Sequence, residues 1–268
     1  MSPIGQLREL PMDIPCYVIN LDRSKARLEA FANAADTSGL KFSRVAAIDG
    51  ISLPVEQWVE FDAKKFGRTN GRIPLPGEFG CYASHIKALR QFIVDGGPSC
   101  VIFEDDALPG LQTSKIISEL ASRFENTVVV VRLVVHRHFA FEPLSTLEGN
   151  VSIGQCWFGP NGSAAAYFLT RLAAITLLEA VTPGFMPYDT FLERQFQHKV
   201  PSFVISPNAL PVPQPPNSDI GSTHGGSKYR KWPWYRRSGA LLFRTIQLFR
   251  RLVQCLLQRK LPKSQINY

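Results

Sequence analysis

Residues 16–104 alternate between short apolar runs and longer amphipathic stretches, and this alternation limits the folds open to the chain. Strands are predicted at 16–21, at 41–50 and from residue 99, because these runs are mainly apolar and β-prone. Helices are predicted at 23–35 and 77–94, where apolar side chains recur on one face. This order is typical of an α/β fold with a mostly parallel sheet, which binds ligands beyond the carboxyl ends of its strands.

The second half of the chain continues the folded domain and then changes character. Residues 127–135 (TVVVVRLVV) are too apolar on both faces for a surface strand, and 164–181 predict a strand leading into a helix. Five prolines in residues 207–216 exclude a helix or a central strand, so this segment should run extended at the edge of the domain. The chain therefore divides into a lead (1–13), a folded domain (14–220) and a tail (221–268).

Charge and cysteine content restrict the class of protein further. Eleven of the 30 Lys and Arg residues but none of the 22 Asp and Glu residues lie in 220–268, so the rest of the chain carries 19 cations against 22 acids. The net charge of +8 therefore belongs to the tail. Five cysteines without CxxC or zinc-type spacing favour free thiols in a reducing compartment, and the first residues show no signal-peptide pattern. These features predict a cytoplasmic globular protein.

Three consecutive carboxylates, Glu104, Asp105 and Asp106, follow the apolar run of the third strand. If the strand continues through them, alternation directs Glu104 and Asp106 to one side of the sheet and Asp105 to the other. Two converging carboxylates repel each other unless a cation joins them, and oxygen ligands suit Mg²⁺ or Mn²⁺ with positions left for phosphate oxygens. The predicted ligand is a nucleotide diphosphate with a divalent metal; the alternative is a solvated acidic loop.

Four segments occur in the order and rough spacing of glycosyltransferase family 25: VINLDRSKAR, RVAAIDG, GEFGCYASH and VIFEDDAL. The chain strongly resembles this family over about residues 14–220, with weaker matches in GSAAAYFLTRLAA, MPYDTFL and NSDI. The family includes bacterial lipopolysaccharide and lipooligosaccharide galactosyltransferases. The resemblance implies a GT-A type fold, which is a single α/β domain that holds a nucleotide sugar and a divalent metal through an acidic motif.

The resemblance and the strand geometry together assign the metal and nucleotide ligands. Glu104 and Asp106 are predicted to bind Mn²⁺ or Mg²⁺ and the UDP moiety, while Asp105 supports them or contacts the ribose. Arg23 and Arg27, one helical turn apart, are placed to reach phosphate, with plain surface charge as the alternative for each. The residues predicted to bind the nucleotide sugar are Ile19, Asn20, Leu21, Arg23, Arg27, Asp49 and Asp105.

Catalytic candidates come from the second predicted helix and from the MPYDTFL segment. Glu78 and His85 lie close to one helix face and belong to the family motif, which implies roles in the cleft. Helix capping by Glu78 and a structural role for His85 are the alternatives. Inverting sugar transfer needs a base to accept the proton of the acceptor hydroxyl, and Asp189 is the predicted base. Asp189 as a helix N-cap is the alternative, with Glu193 and Asp49 as rival bases.

The tail combines cations, aromatic residues and an amphipathic pattern. Residues 238–260 are predicted as a basic amphipathic helix whose apolar stripe consists of Leu242, Ile246, Phe249, Val253, Leu256 and Leu257. The segment KYRKWPWYRR adds cations and interfacial aromatics, so residues 228–260 are predicted to bind an anionic membrane surface. The alternatives are a helix that packs on the domain or dimerises. Nucleic-acid binding is disfavoured because the folded domain carries the opposite charge.

These observations favour one function over several alternatives. The prediction is an inverting, metal-dependent transferase that moves a hexose, galactose from UDP-galactose, to a sugar hydroxyl of a lipopolysaccharide or lipooligosaccharide acceptor. It would act in the cytoplasm, peripherally attached to the inner face of the cytoplasmic membrane. The alternatives are transfer of glucose or another hexose, transfer to a protein hydroxyl, and a non-catalytic nucleotide-sugar-binding protein at the membrane. The absence of G-x-G-x-x-G after the first strand disfavours a dinucleotide oxidoreductase.

Overall fold

In this computed structural model, which describes residues 14–212 and 232–262, one eight-stranded sheet forms the centre of the fold. Its strands, in chain order, are β1 (Cys16–Asn20), β2 (Ser43–Ala46), β3 (Ser99–Glu104), β4 (Val130–Arg132), β5 (Phe141–Thr146), β6 (Ser152–Cys156), β7 (Ala166–Thr170) and β8 (Ser202–Ser206). In space they are arranged in the order β2-β1-β3-β7-β4-β8-β6-β5. The predicted lead, the NSDI segment and the KYRK part of the basic segment lie outside the described residues.

The sheet is mixed. β1 pairs in parallel with β2 and β3, and β4 pairs in parallel with β8. The four other neighbouring pairs are antiparallel, including both pairs made by β7. The predicted parallel arrangement therefore applies to the β2-β1-β3 half, where helices connect the strands. In the other half, short connections such as the one from β5 to β6 allow antiparallel pairing.

Helices cover both faces of the sheet, which explains why its inner strands β1, β3 and β7 are mainly apolar and buried. They are α1 (Lys25–Ser38), α2 (Ala63–Asn70), α3 (Pro76–Asp95), α4 (Leu111–Arg123), α5 (Arg171–Val181), α6 (Tyr188–Leu192), α7 (Gln195–His198) and α8 (Ser238–Leu257), with short 3-10 helices between them. On β3, Val101 and Phe103 pack in the core with α1 and α4, whereas Cys100 and Ile102 pack in the core with α3 and α5. Alternate side chains thus enter two separate cores, and neither face of the strand meets water.

Two predicted strands are shorter in the structure than the sequence indicates. The apolar segment 127–135 contains only β4, although residues 133–135 are also buried. Val135 N donates a hydrogen bond of 3.0 Å to the Asn208 side chain instead of to a strand. Residues 41–50 contain only β2, and Asp49 then caps a short 3-10 helix. Residues 133–135 are apolar because they are buried, although they lie outside β4.

The helix α8 packs against α2 and α7 at one side of the domain. Trp232, just before it, donates its backbone N–H to the Gly71 carbonyl at 2.8 Å, and Ala240 is buried. The N-terminal end of α8 is therefore fixed to the domain surface. Within the two described ranges, no helix combines the length and the apolar character needed to cross a bilayer.

Candidate functional site

A cleft opens beyond the carboxyl ends of β1, β2 and β3, where the sheet topology predicts a ligand site. The loops after these three strands form one side, and the first half of α3 forms the other. The cleft encloses about 100 Å³ and is otherwise open to solvent. The predicted site residues that line it are Ile19, Leu21, Arg23, Arg27, Asp49, His85, Glu104, Asp105 and Asp106.

A close approach at Gly80 lets the loop after β2 lie against α3 and form one wall. A Cβ atom on Gly80 would lie 2.6 Å from the Ile48 carbonyl oxygen and 2.9 Å from the Gly50 nitrogen. Ile48 N also donates to Ser84 Oγ at 2.8 Å, which anchors the loop to the helix. The RVAAIDG and GEFGCYASH segments are therefore adjacent for a steric reason, and their contact holds Asp49 at the cleft.

Glu104 is the last residue of β3, and side chains of α3 hold its carboxylate. Its Oε1 lies 3.1 Å from His85 Nε2 and accepts a hydrogen bond of 3.7 Å from Cys81 Sγ. His85 is fully buried, with Nδ1 3.0 Å from the Tyr167 hydroxyl and its ring stacked on Tyr188 at 4.2 Å between centroids. Burial by itself would raise the pKa of Glu104, but the contacts with His85 and Cys81 outweigh it and lower that pKa. Glu104 is therefore an ionised carboxylate of fixed orientation.

Cys81, His85 and Glu104 form a group with metal-type ligand atoms, all within 4.8 Å of one another. The sequence prediction includes His85 and Glu104 but not Cys81, and Asp106 is not a member of this group. The signal for Cys81 is its spacing of four residues from His85 on one helix. Burial, and then the charge of Glu104, raise the pKa of the Cys81 thiol. Because metal binding requires the thiolate, this shift disfavours Cys81 as a ligand.

Asp105 borders the same cleft and is fixed by neighbours in β1 and α1. It is buried, accepts a hydrogen bond of 2.6 Å from Asn20 Nδ2, and lies 3.3 Å from Arg27 Nε. Asn20 is itself held by Arg44, whose Nε donates to Asn20 Oδ1 at 2.9 Å. Asn20 is therefore buried behind Asp105 rather than lining the cleft. Arg44, which sequence reasoning did not identify, completes this support through a contact between two neighbouring strands.

Asp106 lies in the turn after β3, because the strand ends at Glu104 and Ala107 N donates back to the Glu104 carbonyl at 3.1 Å. Strand alternation therefore does not extend through the acids, and all three border one cleft. Asp106 Oδ1 is buried and has no hydrogen-bond partner among residues 14–212 and 232–262. Burial, together with the charges of Glu104 and Asp105, raises the pKa of Asp106 to about 7. A buried, unpartnered oxygen beside two further carboxylates fits a divalent cation with hard oxygen ligands.

Arg23 and Asp49 form an ion pair at the edge of the cleft. Asp49 Oδ1 also accepts from Ile51 N at 3.2 Å, as the N-cap of the short 3-10 helix. Both side chains of the pair are partly exposed, so the pair contributes little to stability. The Arg23 guanidinium is partly exposed and remains accessible to an anionic ligand. Both carboxylate oxygens of Asp49 already have partners, Arg23 and Ile51 N, so Asp49 is a weaker candidate for the reaction base.

Glu78 does not line the cleft but caps the first turn of α3. Its Oε2 accepts from Arg72 Nη1 at 2.6 Å and from Leu75 N at 2.9 Å, and Oε1 pairs with Arg72 Nη2. The N-cap residue Leu75 has no side-chain acceptor, so Glu78 supplies one to the helix N-terminus. The contacts of Glu78 with the described residues therefore correspond to the capping alternative.

Asp189 lies in the first turn of α6, whose N-cap is Pro187, so it is not the helix N-cap. Its Oδ1 accepts from Thr190 N at 2.6 Å. It is not among the residues lining the cleft, although it is close enough to Cys81 for its charge to raise the pKa of that thiol. Burial, and then repulsion by Glu193, raise the pKa of Asp189 itself. A raised pKa makes the carboxylate a better proton acceptor.

Glu193, the rival base, is the centre of a buried structural network. Its Oε1 accepts from the backbone N–H groups of Asn161 and Gly162 at 2.8 Å each, and its Oε2 accepts from Arg251 Nη2 at 2.6 Å. Burial would raise the pKa of Glu193, but Arg132 and Arg251 outweigh burial and lower it. Both oxygens are occupied, so Glu193 links α6 to α8 and is not placed to take a proton from an acceptor.

An open α/β sheet with acids and arginines around a cleft at its parallel strand ends is the type of site at which α/β proteins bind ligands. A family model described as glycosyltransferase family 25 (LPS biosynthesis protein) matches residues 13–192, and the chain belongs to this family. No curated protein matches the chain. Membership indicates glycosyltransferase activity in lipopolysaccharide biosynthesis, with a sugar donor and a lipopolysaccharide acceptor.

Proposed function

We propose that the protein is an inverting, metal-dependent GT-A glycosyltransferase that moves galactose from UDP-galactose to a sugar hydroxyl of a lipopolysaccharide or lipooligosaccharide acceptor. The observation that carries this proposal is the buried Asp106 Oδ1, which lacks a hydrogen-bond partner among the described residues. Native proteins rarely leave such an oxygen without a partner, and an ion or an ordered water completes its contacts. Family membership and the position of the cleft support the same conclusion.

Glu104 and Asp106 are the proposed ligands of Mn²⁺ or Mg²⁺. The metal, when bound, neutralises negative charge on the departing diphosphate. Glu104 is suited to this role because its pKa is lowered and its orientation is fixed by His85. His85 is therefore proposed as a positioning residue rather than as a group that exchanges protons with the substrate. Oxygen ligands of this kind match the preference of both cations.

The arginines after β1 are the proposed contacts for the nucleotide phosphates. Arg23 and Arg27 line the cleft, and Arg27 lies on the same side as Asp105. Guanidinium groups bind phosphate through paired hydrogen bonds. Arg27 lies in the first turn of α1, and Arg23 lies in the turn just before that helix. Ile19 and Leu21 line the cleft as apolar neighbours of the nucleotide. Asn20 acts through Asp105, whose position it fixes.

Asp189 is the proposed base. In the transfer step, the acceptor hydroxyl oxygen forms a bond to the anomeric carbon as the bond from that carbon to the diphosphate oxygen breaks. The hydroxyl proton moves to Asp189, and the electron pair of the broken bond leaves with UDP. Attack from the face opposite the diphosphate inverts the configuration. The raised pKa of Asp189 supports this assignment.

The proposed acceptor carries a lipid, so the reaction takes place at the inner face of the cytoplasmic membrane. We propose that the chain is cytoplasmic and is attached there peripherally.

The test is UDP release from a panel of UDP-sugars, with Mn²⁺ or with EDTA, for the wild type and for Asp106→Asn. Asp36→Asn is the matched control, because Asp36 is an exposed carboxylate on α1. We expect UDP-galactose turnover that EDTA abolishes, a loss of about a hundredfold or more in Asp106→Asn, and no change in Asp36→Asn. Metal-independent turnover would contradict the mechanism. Turnover with UDP-glucose alone would change the donor, and no turnover with any donor would favour a non-catalytic binding protein.

A further inference from the structure

The helix α8 contacts the domain through polar groups and through Phe243, whose ring lies 6.4 Å from that of Phe185 between centroids. Arg251 reaches the buried Glu193, and Gln254 Oε1 accepts from Phe196 N at 3.1 Å. Gln155 Nε2 donates to the Cys255 carbonyl at 3.0 Å. The buried residues of α8 are Ala240, Gln247 and Cys255. The side of this helix that faces the protein therefore combines these polar groups with Phe243.

The apolar stripe of α8 lies on the opposite side and is exposed. With 3.6 residues per turn, all six stripe residues fall on the side of the helix away from Arg251 and Ala240. Phe249 is 68% exposed and Leu257 is 82% exposed. The stripe consists of Leu242, Ile246, Phe249, Val253, Leu256 and Leu257. A contiguous apolar surface of this kind on a soluble domain marks a contact with a membrane or with another protein.

Cations and interfacial aromatics border this stripe, and they favour a membrane over a protein partner. Arg250 on the helix, and Arg259 and Lys260 after it, are exposed. Trp234 and Tyr235 are exposed just before the helix. Residues 232–262 contain no Asp or Glu. An apolar stripe flanked by arginines and aromatic rings, without acids, complements a bilayer that carries anionic headgroups.

We infer that the outward face of α8, together with Trp234 and Tyr235, docks in the plane of an anionic bilayer surface. This surface and its lipid charge would attach the proposed enzyme to the membrane. The lipid-linked acceptor is the one part that rests on the proposed function. Because Arg251 and Glu193 fix α8 to the domain, the helix is a rigid part of the enzyme rather than a flexible tether. Docking therefore sets the orientation of the whole domain on the membrane.

Sedimentation with sucrose-loaded vesicles tests the inference on the full chain. The test variant is Leu242→Gln/Phe249→Gln, and the control is Val94→Gln/Leu172→Gln, which changes two exposed apolar residues of α3 and α5. We expect the wild type and the control to sediment with phosphatidylglycerol vesicles and not with phosphatidylcholine vesicles. The test variant should lose about a hundredfold in partition coefficient, tenfold or more for each side chain.

Three results would overturn the inference. The first is equal sedimentation of the test variant and the wild type, and the second is equal binding of the wild type to neutral and anionic vesicles. The third is a wild type that binds no vesicles but forms a dimer, together with a test variant that is monomeric. The third result would assign the surface to a second copy of the chain. Circular dichroism checks that the test variant is folded, as expected for exposed positions. UDP release with a short water-soluble acceptor separates the two proposals, because loss of vesicle binding leaves that activity unchanged.

Discussion

The buried ion pair between Glu193 and Arg251 gives a direct test of how α8 is attached. The Glu193 side chain is fully buried and the Arg251 side chain is 12% exposed. Arg251 Nη2 donates to Glu193 Oε2 at 2.6 Å, and Arg251 Nη1 donates to Asn161 Oδ1 at 3.0 Å. Arg251→Met keeps an unbranched apolar side chain at this position but removes both donors. The substitution leaves one oxygen of a buried carboxylate without its partner.

The contacts that remain set the expected magnitude. Removing one partner of a buried ion pair typically destabilises a protein by about 3–5 kcal/mol. Here Arg132 Nη1 remains 3.4 Å from Glu193 Oε1, and two backbone N–H groups still donate to that oxygen. We therefore expect a smaller loss in the free energy of unfolding, about 2–3 kcal/mol, which combines one charged hydrogen bond with the cost of an unpartnered buried oxygen.

Urea unfolding of the full chain, followed by circular dichroism, measures this loss. Arg250→Met is the matched control, since Arg250 is the neighbouring residue on the same helix and is exposed. We expect the control to change the free energy of unfolding by less than about 0.5 kcal/mol. If Arg251→Met destabilises no more than Arg250→Met, α8 is not anchored through Glu193 and the reasoning is refuted.

Three further predictions concern other parts of the fold. Glu78→Gln weakens the pair with Arg72 and should lower the free energy of unfolding by about 2 kcal/mol in urea while leaving UDP release unchanged; a stable but inactive variant would contradict the capping role. Gly80→Ala places a Cβ atom 2.6 Å from the Ile48 carbonyl oxygen, so the thermal unfolding midpoint should fall, and an unchanged midpoint would contradict the close approach. Burial lowers the pKa of His198 to about 4, below its unfolded value of about 6.5, so the unfolded state binds more protons between these values. The contribution of His198 should therefore lower the free energy of unfolding by about 3 kcal/mol from pH 7 to pH 4, and His198→Gln should remove this loss. If the free energies of unfolding of the wild type and His198→Gln change in parallel with pH, His198 is not the cause.

The parts of the fold that the sequence predicted well are those with a strong local pattern. The first strand was predicted at 16–21 and is Cys16–Asn20, and the second helix was predicted at 77–94 and is Pro76–Asp95. Both elements are buried over most of their apolar residues, so composition and periodicity indicate them directly. The position of the acids at the end of β3 follows from the same pattern.

The parts that the sequence did not reveal depend on contacts between distant residues. Strand alternation was applied through Asp106, but β3 ends at Glu104 and a turn redirects the next two acids. Periodicity identifies the apolar stripe of α8 but not the side that faces the domain, because Arg251 meets a partner 58 residues earlier in the chain. Tertiary packing, rather than local propensity, decides long-range contacts such as the Arg251–Glu193 pair. It also decides the antiparallel position of β7.

The central claim is that Glu104 and Asp106 hold a divalent cation together with the diphosphate of the sugar donor. Anomalous diffraction from a crystal grown with Mn²⁺ and UDP measures the position of that ion directly. We expect one manganese peak coordinated by carboxylate oxygens of Glu104 and Asp106 and by the diphosphate. A peak coordinated by Cys81 and His85 without Asp106, or UDP bound outside the cleft, would contradict it.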